Sequence, residues 1–167
     1  MRIYVPTTVA GLAALHSTGR LAPAPLSAHA VTPAVRASWV GADDEELEYA
    51  VLMAAAFDSL QLIASTSGEA RRVVVVADVD DAVAQPGAED TAVPVSVEVS
   101  ISQCSAVHVD DADAEGEIVL ALGRLPEAAA GDERALADDS LVEHELMWFA
   151  TQEIPDLLSQ TRWADGA

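Results

Sequence analysis

Arg71-Arg72-Val73-Val74-Val75-Val76-Ala77-Asp78-Val79 is the stretch that decides the fold. It is a β-branched run without polar alternation, the pattern of a strand covered on both faces, and such a strand belongs in the middle of a sheet. Downstream, Val93, Val95, Val97 and Val99 alternate with Pro94, Ser96, Glu98 and Ser100, which predicts a strand with one wet face near an edge. Between the two, residues 80–92 are acidic and contain Pro86-Gly87, the composition of a surface loop. Ala106-Val107-His108-Val109 reads as a further strand, after which Asp110 or Asp111 caps a helix to Leu122. Residues 123–139 are rich in Ala, Asp and Gly and are expected to hold a short helix around Ala135. A last strand over Glu145–Phe149 precedes a helix over Ile154, Leu157 and Leu158, with Thr151 as its cap.

Upstream of the central run lies the clearest helix. Asp43 and Glu46 have capping-box spacing, and Asp44 and Glu45 add negative charge where the helix dipole is positive. Tyr49, Met53, Ala56, Leu60 and Ile63 recur at helical steps and predict one buried stripe ending near Ala64. Further back, Arg2-Ile3-Tyr4-Val5 alternates as a first strand, and Thr7 or Thr8 caps a helix closed by Gly19. Ser27–Val31 is a second strand, and Thr32-Pro33 starts a short helix carrying Val35, Arg36 and Trp39. Strands alternating with helices give an α/β single-domain layered fold: a mixed, mostly parallel sheet flanked by helices. The alternative is an α+β ferredoxin-like sandwich. Residues 1–159 are expected to form the domain and 160–167 a short tail.

Composition bounds the partners. The 167 residues carry 28 acidic and 8 basic side chains, a net charge of −20, yet 51% are hydrophobic, too many for a disordered chain. All the basic residues are Arg, and Lys and Asn are absent, as in the product of a GC-rich genome; a salt-adapted proteome is the other source of such a skew. A surface this acidic repels polyanions, so direct nucleic-acid binding is excluded, and it attracts basic partners. No apolar run reaches the roughly 20 residues of a membrane span. The lone Cys104 excludes an intrachain disulfide and a cysteine metal cage. The N-terminal apolar stretch is interrupted by His16, Gly19 and Arg20 and imitates a signal peptide poorly, so a cytoplasmic protein is expected.

No motif specifies a reaction. Asp111, Asp113, Glu115 and Gly116 match the opening of an EF-hand loop, but its twelfth place is Leu122, so the acids read as a charged helix start. His108 and Asp110 share a strand face and are spaced to share one divalent ion. In a mostly parallel sheet, Asp78, Asp80, His108, Asp110, Asp111 and Glu153 would gather near strand C-terminal ends, where open α/β sheets bind ligands. A divalent metal is therefore possible there, although no cofactor is expected. His29 and His144 are candidates for pH-sensitive contacts. Cys104 lacks a neighbouring cation to activate it, and no glycine-rich phosphate loop or nucleophile elbow occurs.

Met1–Pro6, Ala28–Arg36, Glu45–Tyr49, Arg71–Val74, Ala106–Asp111 and Trp148–Ile154 together resemble a family of small acidic actinobacterial proteins classed as a domain of unknown function. The resemblance implies a lineage and one domain, but no activity. It draws attention to Thr32, Arg36, His108, Asp110, Gln152 and Glu153 as polar positions of a binding surface. The expected function is a non-enzymatic binding or regulatory protein that meets a basic protein through its acidic surface. The alternative is a divalent-metal-dependent hydrolase or transferase, and a homodimer is a third, structural reading.

Overall fold

A computed structural model describes residues 1–85, 91–129 and 144–161. Six strands form the main sheet: β1 (Arg2–Thr7), β3 (Leu26–His29), β4 (Val73–Asp78), β5 (Ala92–Val95), β7 (Cys104–Val109) and β8 (Met147–Ala150). Their order is β5-β3-β1-β4-β7-β8, and every neighbouring pair is antiparallel. A separate two-stranded ladder joins β2 (Arg20–Leu21) to β6 (Val99–Ser100). The described helices are α1 (Val9–Thr18), α2 (Pro33–Ser38), α3 (Asp44–Thr66), α4 (Glu115–Ala129) and α5 (Ile154–Thr161).

The expected mostly parallel sheet is thus corrected to an antiparallel one, in a mixed α and β fold. The reason is physical. Burial on both faces produces an uninterrupted apolar strand, and burial is indifferent to the direction of the neighbouring strands. Val73, Val75 and Ala77 join one core layer while Val74 and Val76 join the other, so β4 is covered twice, as its sequence demands. On the first face lie α1 and α5, through Val9, Leu12, Leu15, Ile154 and Leu157. On the second, α3 contributes Val51, Ala55 and Ala56, while α4 packs on α3 through Leu60, Ala114, Ile118 and Ala121. The α+β class of the alternative holds, while helices on both faces depart from its two-layer ferredoxin-like form. With β3 and β4 both antiparallel to the β1 between them, α3 is a crossover that carries the chain over β1.

Local signals set the element ends. Thr8 caps α1 by accepting from the Gly11 N–H, and Gly19 ends it at φ 73°, a left-handed turn that suits a residue without a Cβ. Thr32 caps α2 with Pro33 in its first turn, and Asp43 and Glu46 close the capping box of α3. The expected 93–99 strand divides instead: β5 stops at Val95, and Val99 joins the second ladder. Its edge position holds, and Pro94 fits there because an outer strand spares one row of N–H groups. The helix after Asp111 extends past Leu122 to Ala129. With 23 residues, α3 is long and apolar enough to cross a membrane by length and composition, but here it lays Leu47, Val51, Ala55, Leu60 and Ile63 against the fold. The helix expected around Ala135 and the end of the expected tail lie outside the described residues.

Candidate functional site

The first turns of α3 stand over the second face of the sheet, and between them lies a groove of 460 Å³. Glu45, Glu48, Tyr49 and Leu52 form its upper wall, at the i, i+3, i+4, i+7 spacing of one helix face. The floor comes from alternate strand residues. Tyr4, Val76 and Ala106 lie in one row across β1, β4 and β7, and His108 faces Trp148 across β7 and β8. The small side chains Ala106, Ser105 and Val76 make the depression, while Arg2 closes the β1 end.

The lining is aromatic and acidic. It holds both tyrosines of the chain, with Tyr49 44% exposed, and Trp148, which is 61% exposed. Arg2 is shared between Glu48 at 3.6 Å and Asp78 at 3.7 Å, which leaves Glu45 without an ion pair among the described residues. Burial, and then the Glu48 carboxylate, push the Tyr4 hydroxyl up to about 12, so it stays protonated. His108 is held below the ordinary imidazole range by burial, and its Nδ1 is sealed from solvent without a hydrogen-bond partner. An unpaired acceptor costs less than an unpaired N–H, so the neutral ring carries its proton on Nε2. The arrangement suits a flat or cationic group: π faces and carboxylates receive charge, and one imidazole N–H is available as a donor. Ser105 Oγ turns to the Val76 carbonyl at 3.4 Å, not to His108, so no nucleophile and base are paired here.

The other sequence candidates are dispersed by the antiparallel sheet. Asp110 lies beside the start of β4 and Asp78 at its far end, because β4 and β7 run in opposite directions. Asp110 is wholly engaged: its Oδ2 accepts from the Arg72 backbone N–H and Nε, both at 2.8 Å, and its Oδ1 from Arg72 Nη2 at 2.7 Å. Arg71 donates to the Asp110 carbonyl, and Arg72 also reaches the carbonyl of His144. Asp80 accepts from the Ala82 N–H, and Asp111 caps the 3-10 turn before α4. Among the described residues no group of three His, Cys, Asp or Glu side chains is placed to hold a metal ion. Thr32 is the buried cap of α2, Arg36 pairs with Asp44, Glu153 accepts from the Ala150 N–H, and Gln152 is exposed; none of the four lines the groove. His29 is buried between Thr91 Oγ1 and Asp58 Oδ2, each at 2.7 Å, and His144 pairs with Glu117 at 2.8 Å.

A family model described as a family of unknown function (DUF6912) matches residues 1–158. The chain belongs to DUF6912. No curated protein and no solved structure matches it. Most of the groove falls in the segments by which the sequence resembles its family: Arg2, Tyr4, Glu45, Glu48, Tyr49, Ala106, His108 and Trp148. Of these, sequence reasoning singled out only His108. The missed signal is scarcity: with aromatic residues at 4% of the chain, a tyrosine set among acids, Tyr49 after Glu45, Glu46 and Glu48, was conspicuous.

Proposed function

We propose that this DUF6912 chain is a non-enzymatic binding or regulatory protein of the cytoplasm, whose groove takes a cationic side chain of a basic partner. The supporting observation is the lining itself: Tyr4, Tyr49 and Trp148 beside the carboxylates of Glu45 and Glu48. A guanidinium is attracted by the ring faces and hydrogen-bonded by a carboxylate, and its weak hydration makes the transfer out of water cheap. The net charge of −20 speeds the approach of a basic partner, with a strength that falls as salt rises. The free thiol of Cys104 is buried and pushed up to about 11 by burial, so it fits a reducing compartment without supplying a nucleophile.

The test compares N-acetyl-arginine amide with its neutral isostere N-acetyl-citrulline amide by calorimetry at low and high salt. The arginine compound should bind and the citrulline compound should not. Trp148→Ala should weaken binding about 2- to 30-fold, the range of a cation–π contact. Equal binding of both compounds, or of neither, removes the reading.

A further inference from the structure

We propose that the basic partner enters as an extended segment added to the outer edge of β8, with an arginine placed opposite Trp148. This rests on the groove reading above and adds how the cation is delivered. Among the described residues β8 pairs only with β7, so it ends the sheet. The direction of its backbone groups follows from two independent hydrogen bonds. The Asp110 N–H donates to the Arg72 carbonyl on the β4 side. By antiparallel alternation His108 also bonds toward β4, which makes the His108–Trp148 pair the non-bonded kind. At the other end the Ala150 N–H donates to Glu153 Oε2 at 2.7 Å, not to β7, and Trp148 lies two residues away in the same phase. Both bonds turn the N–H and C=O of Trp148 outward.

A strand arriving antiparallel exchanges both bonds with Trp148, and the residue that does so projects to the same face as the indole. That face is the groove. An arginine there stacks on the indole and extends over the low floor of Ala106 and Ser105 toward Glu45, a groove carboxylate without an ion pair among the described residues. The residues on either side of it fall on the opposite face, beside Met147, which is 46% exposed. The recognised chemistry is therefore apolar–arginine–apolar in extended form. β8 is only four residues long, so the backbone bonds are few and the arginine must supply much of the affinity.

The probe is the capped pentapeptide Thr-Val-Arg-Val-Thr, with two analogues: one N-methylated at the arginine, which removes the donor to the Trp148 carbonyl, and one with citrulline. Calorimetry should show binding of the parent and a loss of about tenfold or more on N-methylation, with a similar loss in Trp148→Ala. Trp148→Phe, which keeps an aromatic face, should retain part of the binding and show that Trp148→Ala has not simply failed to fold. If the N-methylated peptide binds as well as the parent while citrulline abolishes binding, strand addition is wrong and the groove reading survives. If arginine and citrulline peptides bind alike, or neither binds, both fall. A dimer in sedimentation that Trp148→Ala dissociates and the peptide does not would place a second copy on this edge and overturn the proposal.

Discussion

Arg72 and Asp110 carry opposite charges to a place almost without water, their side chains 4% and 0% exposed. Their worth lies in mutual dependence: each is satisfied by the other, and removal of one strands a buried charge. Asp110→Ala is expected to cost about 3–5 kcal/mol in urea unfolding, and Asp110→Ala with Arg72→Leu less than that, because the second change removes the stranded guanidinium. A metal-ligand role for Asp110 would instead make the loss depend on added divalent ion. His108 gives a pH signature. Because burial lowers its pKa from the ordinary 6.5, the unfolded chain takes up this proton more readily than the folded one. Above that value neither state holds the proton. As the pH falls through it, the unfolded state gains the proton first and stability is lost, until the folded value is passed. In His108→Phe the melting temperature should therefore fall less steeply with acidification than in the parent.

At the scale of elements, α3 shows what a sequence can and cannot announce. Its capping box was legible because it needs only Asp43 and Glu46, three residues apart; Asp43→Ala should cost about 1 kcal/mol, read from chemical unfolding. Gly19 and Thr32 were legible for the same reason, as was the central placement of Val73–Val76, while the cap of α1 was narrowed only to Thr7 or Thr8. The buried stripe was legible at Ala56, Leu60 and Ile63 and misplaced only at its start, where Tyr49 is exposed and Met53 half-buried. Ala, Val, Leu and Met encircle most of α3, so several faces satisfy the helical period, and the protein buries Leu47 and Val51 while Tyr49 stands at the groove rim. Strand direction was illegible because it depends on pairing between residues far apart in sequence. The groove inherited that opacity: Tyr4, Val76, Ala106 and Trp148 meet through register across four strands, and no local pattern encodes it.

On the whole molecule, a charge of −20 acts against compactness as well as on partners. The described ion pairs are few and mostly exposed, and they offset little of the self-repulsion. Added sodium chloride should therefore raise the melting temperature over the range in which screening develops, and a flat or falling response would mean that the carboxylates are already neutralised by another route. The sheet order has a consequence for biosynthesis. Of the described strands β1 leaves the ribosome first, yet it sits third in the sheet, between one strand made soon afterwards and another that begins only at Val73. Until that second neighbour emerges, the growing polypeptide displays a bare flank rich in Ile3, Tyr4 and Val5, and it is this nascent interval that a holding chaperone would have to guard.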